Sequence, residues 1–468
     1  MSLYPQRPTF ATVLRSFGFG DGLPFANVLS GQAIQNACDA EHVCFGNGKG
    51  DVYTPAVTLW AFLAQCLSAT KSCVAAVARV LVLRFALGQT PCAAGSGAYC
   101  KARAKLPETL LRRLTLAVGA AVEDQAPDSW RWHSRRVYLV DGCELSMPDS
   151  KANQKAYPQL KTQKPGLGFP RLRLVVLLAF ATACLVDAAF GPCKGKGASE
   201  TELFRSLLDR FCPGDVVVAD RYYCTWWLIA LLAGRRVDAC FRLHQLRHYD
   251  FCKGRQLGNG DHVVRWAKPQ RPQWMDEEMY QDLPAFVEVR EVQVVVRQPG
   301  FRVRQFVAAT TLLDSSCYSS DAIGDLYHQR WHAELDIRNI KRTLRMDILS
   351  CKTPPMVRRE LWAHLLAYNL VRKVLAQAAL AGQIRPRQLS FAGAVHTLEA
   401  FRWLLAVGAV TDTSRMIQVL LVAVATHRVG HRPDRVEPRE VKRRRKTAKL
   451  LVKERAQRRA ELLAGIGA

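Results

Sequence analysis

Apolar positions recur at three- and four-residue spacing through TPAVTLWAFLAQCL and SCVAAVARVLVLRF, the period of a helix that buries one face. Gly-rich breaks at FGNGKGD and AAGSGAY punctuate this part of the chain, so residues 1–125 are expected to be helical, serving either packing or DNA binding. No helix-turn-helix pattern stands out there. From Arg135 the pattern changes to short, dense apolar runs, VYLV, RLVVLLAFA, ACLVDAAF, VVVA and VDACFRLH, which suit buried strands. Before VVVA lies SETELFRSLLDRF, whose Leu203, Phe204, Leu207, Leu208 and Phe211 share one helical face. The order strand, strand, strand, helix, strand, helix, strand predicts a mixed α/β sheet over 126–243.

Residues 244–305 interrupt that series with Gly-, Trp- and Pro-rich text. Alternating segments follow, AFVEVREVQVVVR and RVRQFVAATTL, so the stretch reads as a β-rich insertion. Helix resumes near Asp321, and 306–375 is expected to return to the α/β core. After Pro354 and Pro355 a helix is predicted through VRRELWAHLLAYNLVRKVLAQAAL. Residues 376–468 predict a helical region with another helix around 412–426. They end in a basic tail, KRRRK at 442–446 and KERAQRR at 453–459, expected to be mobile unless bound.

Charge narrows the partners. The 468 residues include 66 Lys and Arg against 40 Asp and Glu, a net charge of +26, which calls for a polyanion or an anionic surface. The longest apolar run, Leu174 to Val186, is 13 residues long and contains Thr182, short of the roughly 20 that span a bilayer. MSLYPQRPTFATVL has none of the features of a signal peptide. Nucleic acid is therefore the expected partner, with no membrane. The 15 cysteines never occur two residues apart, so zinc-ribbon spacing is absent and free thiols in a reducing cytoplasm are expected.

Candidate chemistry begins with Asp141, which follows VYLV, and Asp220, which follows VVVA. Carboxylates at the C-terminal ends of adjacent strands open onto the same sheet edge. Each alone equally suits a turn. The segment DAIGDLYHQRWHAELDIRNIKRTLRM carries a sharper signal. Read as one helix, it places Tyr327, Arg330, Glu334 and Lys341 within a stripe about 60° wide, with Arg338 and Arg345 on or beside it. Such a face also arises on a solvated helix with an Arg330–Glu334 pair. However, Leu326, Ala333, Ile337 and Ile340 form an adjoining apolar stripe, which anchors the polar one at a core boundary.

These residues resemble the DDE transposases of bacterial insertion sequences, of the insertion-sequence-four type. That family's signature, Y-x2-R-x3-E-x6-K, is matched by Tyr327, Arg330, Glu334 and Lys341. The resemblance continues in VDGCELSMPDS, VVVADRYYCTWW, YHQRWHAE, LLAYNLVR and HRPDRVEPREVKRR, over most of the chain. One departure is Cys143, where the family often has Thr or Ser.

The resemblance implies an RNase H-like core in which Asp141, Asp220 and Glu334 bind two divalent ions, Mg²⁺ or Mn²⁺. It implies a β-rich insertion between the second Asp and the Glu, and phosphate contacts from Tyr327, Arg330 and Lys341, to which the stripe adds Arg338. Trp266 or Trp274 would stack on a flipped base. Two hard ions about 4 Å apart would serve the attacking and the leaving oxygen. The crowded carboxylates would repel until those ions arrived. The activity implied is cleavage at the terminal inverted repeats of an insertion sequence and strand transfer into double-stranded target DNA. A homodimer on two ends, in a bacterial cytoplasm at the nucleoid, would perform it. Two alternatives stand beside this reading. One is a decayed, DNA-binding regulator, for which the charge alone would suffice. The other is a different RNase H-like nuclease, which would share the three acids but gain nothing from Tyr327 and Lys341.

Overall fold

The computed structural model describes residues 31–48, 50–68, 70–86, 88–164, 166–195, 198–296, 305–407, 413–430 and 452–464. The opening MSLYPQRPTFATVL and the KRRRK run lie outside them. The described part begins with helices α1 (Gly31–Ala40), α2 (Pro55–Leu67), α3 (Cys73–Ala86), α4 (Gly97–Lys105) and α5 (Glu108–Asp124). In α2, Thr54 caps the Val57 N–H and Pro55 occupies the first turn, where its missing N–H costs nothing. Leu110, Leu111, Leu114, Val118 and Val122 of α5 are all buried.

The α/β core follows: β1 (Val137–Ser146), α6 (Lys151–Ala156), β2 (Arg171–Ala179), β3 (Leu185–Pro192), α7 (Glu200–Arg205), β4 (Val216–Ala219), α8 (Trp226–Gly234) and β5 (Asp238–Arg242). Strands β1 to β3 form an antiparallel meander. Strand β4 then pairs parallel to β1, and β5 parallel to β4. The resulting order, β3-β2-β1-β4-β5, is the ribonuclease H-like arrangement. The helix expected over SETELFRSLLDRF stops early. The Ser206 hydroxyl turns back onto the Leu203 carbonyl at 2.7 Å, offering the backbone an alternative to the next helical bond, and a 3-10 turn, Leu208–Arg210, follows. All five apolar residues nonetheless reach the core, against Tyr138, Val140 and Val217.

Next come β6 (Arg255–Gly258), β7 (Asp261–Ala267), α9 (Glu277–Asp282), β8 (Phe286–Val295) and β9 (Gln305–Thr310). Their strands do not build a separate layer. Because β9 pairs antiparallel with β5, from Cys240 opposite Thr310 to Arg242 opposite Ala308, the sheet runs on without a gap as β3-β2-β1-β4-β5-β9-β8-β7-β6.

Helices α10 (Ser320–His328) and α11 (Trp331–Arg338), a π-helical turn (Asn339–Thr343), and α12 (Pro354–Ala381), α13 (Phe391–Val407), α14 (Thr413–Thr426) and α15 (Arg455–Leu463) complete the fold. Asn369 of α12 ties three elements together. Its side-chain oxygen accepts the Leu185 N–H at 2.8 Å, and its amide donates to Leu185 O at 2.8 Å and Thr115 O at 2.9 Å. One face of the sheet core packs against α5 and α10 to α12, the other against α7 and α8. None of the described helices is long and apolar enough to cross a membrane, and the 15 cysteines are all unpaired.

Candidate active site

Strand β1 does not end at Asp141, as its apolar run suggested. It continues to Ser146 because β2 pairs with it throughout, Asp141 lying opposite Val176 and Ser146 opposite Arg171. It is β4 that stops. The parallel register sets Val137 opposite Val216 and Leu139 opposite Val218, so two residues further on Asp141 faces Asp220 just as β4 gives out. Side chains alternate along a strand. Asp141 and Asp220 therefore share the face of Leu139 and Val218, the face covered by α10 and α11.

Each aspartate also makes the local bond expected of a turn former. Asp141 Oδ1 accepts the Gly142 N–H at 2.8 Å and Asp220 Oδ1 the Tyr222 N–H at 2.8 Å. Glu334 enters from α11. Arg330 donates to its Oε1 at 2.7 Å and lies 4.0 Å from Asp141 Oδ2. The Asp141 side chain is 18% exposed and that of Glu334 39%. Burial pushes the Asp141 carboxyl up to about 6. The Gly142 N–H and Arg330 pull it down, and the charges of Asp220 and Glu334 raise it further. The three carboxylates thus feel one another's field, and the nearest compensating charge is a guanidinium.

Among the described residues, no three His, Cys, Asp or Glu side chains already converge on a point that would hold a metal ion. The chemistry of the donors nevertheless fits a divalent cation. All are carboxylate oxygens, the ligands a hard ion prefers, and a buried carboxylate beside two others is a state that a cation relieves. Arg330 stands where that charge is needed. Glu334 is half-exposed on its helix and bonded to Arg330.

The segment read as one helix is broken twice. Arg330 N–H bonds to Tyr327 O and Ala333 N–H to Arg330 O, tight i to i−3 links that separate α10 from α11. The π-helical turn then widens the path after Arg338. The single stripe is therefore divided. Tyr327 is buried, its ring 4.8 Å from that of Phe306. Lys341 crosses to β1, where its Nζ donates to Glu144 O at 3.0 Å. Arg338 stays exposed on the outer face. Arg330 and Glu334 are the pair that remains together beside Asp141. The apolar stripe of Leu326, Ala333, Ile337 and Ile340 is buried throughout.

Trp266 does not offer a stacking surface. It is 5% exposed, donates its N–H to Glu291 at 3.1 Å, and is covered by the Arg247 guanidinium 3.7 Å from its ring centre. Trp274 is more open, but Arg205 lies over its ring at 3.8 Å. Cys143 is partly buried, and desolvation pushes its thiol up to about 12.

Glu200 escaped the sequence reading. Its carboxyl rests on Gly142, where a Cβ would come within 2.5 Å of it. Tyr223 donates its hydroxyl to Glu200 at 3.3 Å, and Arg173 lies 3.9 Å away. The signal was present: a glycine inside an apolar strand marks a place where something approaches the backbone closely.

A ribonuclease H-like sheet with two aspartates in register and a glutamate facing them from a covering helix defines a protein with a candidate three-carboxylate centre. The profile of the family described as "Transposase DDE domain" matches residues 132–370, just over half of the chain and all three acids. The chain belongs to this DDE transposase family, and within it to the insertion-sequence-four type. It is 30% identical over 313 residues to the transposase InsG for insertion sequence element IS4 of Escherichia coli K12, a match covering 65% of this chain and 66% of that protein. A shorter match, 30% over 81 residues, joins 17% of the chain to 22% of the transposase for insertion sequence element IS421 of Escherichia coli. Among solved structures, a piggyBac transposase synaptic complex with hairpin DNA aligns with a TM-score of 0.41 and 9% identity over 89% of this chain and 85% of that one, a likeness too slight to build on.

Proposed function

We propose that this chain is a transposase that cuts DNA at the ends of an insertion sequence and joins those ends to target DNA, with Asp141, Asp220 and Glu334 as its cation-binding acids. The observation that carries the reading is the register of Asp141 with Asp220 across β1 and β4, with Glu334 held opposite them by Arg330. Divalent ions, Mg²⁺ or Mn²⁺, would supply Lewis acidity and an activated oxygen for phosphodiester attack. Arg330 has a second task in this scheme. Its planar fork, released from Glu334, matches a pair of phosphate oxygens. Lys341, bonded to β1, and Arg338, exposed on the outer face, add positive charge for phosphates farther from the carboxylates, while buried Tyr327 fixes the start of the turn that carries Arg330. A homodimer acting on paired ends, and the division into 1–125, 126–243, 244–305, 306–375 and 376–468, belong to the same proposal. The test is a duplex containing the element's own end, incubated with Mg²⁺. Cleavage at the element boundary is expected, with its loss in Asp141→Asn. Undiminished cutting by that variant would remove Asp141 from the centre, and no cutting by the parent chain would favour a DNA-binding regulator.

A further inference from the structure

The sheet edge that presents Asp141 and Asp220 has a second side. Asp141 turns toward α11, whereas Gly142 and Glu144, its neighbours in the alternation, turn toward the face covered by α7. Reaching that side round the strand ends from Asp220 is a cavity of about 500 Å³, walled also by Arg173, Glu200, Arg221, Tyr222, His244 and Gln245. His244 is also in the wall of an adjoining cavity of about 570 Å³, together with Trp227, Leu246, Arg247 and His248. The two make one groove leading away from Asp220.

Its lining is unlike a solvated surface. Tyr222 is 47% exposed and Leu246 77%, large apolar groups left open beside cations. Arg221 is exposed and joins none of the ion pairs among the described residues. His244 Nδ1 accepts the Leu246 N–H at 3.3 Å, which in the neutral ring puts the proton on Nε2 as a donor. The exposed Gln245 amide carries both donors and an acceptor. Carboxylates stand only at the end nearest Asp220, and the second cavity has no acidic side chain in its wall. Each cavity has the size of a site for one small organic unit, enough for a nucleotide.

We propose that this groove holds a single unpaired DNA strand and leads it across the sheet edge from the carboxylates. A base stacks on Tyr222 and a neighbour packs against the apolar Leu246 side chain, while Arg221 and Arg247, whose guanidinium also lies over the Trp266 ring, follow the phosphates, an aromatic-and-cation combination by which proteins hold single strands without reading their sequence. The inference rests on the transposase reading for its direction, but its test does not require cleavage. Fluorescence anisotropy in EDTA compares a labelled oligothymidylate of about 12 nucleotides, a length typical of single-strand sites, with a blunt duplex of equal length. Tyr222→Ala combined with Leu246→Ser is expected to weaken oligothymidylate binding about tenfold, the size of losing one stacked base, and to leave duplex binding within about twofold. Tyr222→Phe, which keeps the ring, should bind like the parent. Both altered side chains are exposed, and an unchanged thermal melt confirms that the double variant is folded. Equal weakening toward both DNAs, or no weakening at all, overturns the groove. An intact groove effect in a chain that never cuts would overturn the transposase reading and leave this one standing.

Discussion

At the residue scale the centre turns on Arg330. Its guanidinium links Glu334 and Asp141, so the two are held together by a group that a phosphate or a cation must displace. Glu334→Gln is expected to lower end cleavage at least a hundredfold, the scale of losing a metal-directing group. Because Glu334 is half-exposed, the thermal midpoint should stay within about 2 °C; a large drop would instead make Glu334 a structural residue. A second residue-scale prediction concerns Glu123, buried on α5 with Thr182 donating to one oxygen at 2.8 Å and nothing bonded to the other. Burial raises its carboxyl to about 7. The folded state therefore holds the proton more tightly than the unfolded chain. The stability this confers is complete below the ordinary carboxylate range and is lost as pH rises through about 7. Glu123→Gln should match the parent near pH 4 and exceed it by up to about 3 kcal/mol at pH 8. Urea midpoints at the two pH values decide this, and an equal difference at both would refute it.

At the scale of elements, the apolar text announced β1 to β5 and α12 because burial dictates their composition. VVVA is buried at every position, and the middle of α12 is buried all round. The two aspartates were legible because each follows such a run, and the glutamate because its neighbours formed a recognisable spacing. The extension of β1 to Ser146 was not legible, since it follows from what lies beside it: β2 carries a pairing strand past Asp141. Nor were the breaks around Arg330 and after Arg338, which contain neither Gly nor Pro. Lys341 shows the consequence, bonded to β1 rather than aligned with Glu334. Sequence periodicity assumes a constant turn angle, and two local changes of hydrogen-bond pattern are enough to cancel it. The packing of α5 on β3 gives this scale its own prediction. A Cβ at Gly119 would lie 2.0 Å from Leu185 O, a backbone atom at the start of edge strand β3, where Asn369 holds Leu185 in place through both its N–H and its carbonyl. Gly119→Ala should cost at least about 2 kcal/mol, as overpacking of a rigid contact does, measured by denaturant titration. An unchanged midpoint would mean the helix can shift without loss.

At the scale of the whole molecule, the excess of 66 basic over 40 acidic side chains acts on DNA irrespective of sequence. If six to ten phosphates are neutralised, affinity for a long random duplex should fall about 10³- to 10⁵-fold between roughly 50 and 200 mM salt. A flat salt dependence would show that the basic residues are spent on internal pairs. The continuity of the sheet has a different consequence. The chain leaves the core at Arg242, the end of β5, and returns at Gln305, the start of β9, and these two strands are immediate neighbours. Everything between departs and comes back at one seam. Material can therefore be added beyond β8, as leaves are added to the edge of a table, while the distance from Asp220 to the glutamate's helix stays set by β5, β9 and the contacts of β8 with the chain entering α10. That makes the far edge of the sheet the place where the protein can acquire new contacts without redesigning its chemistry.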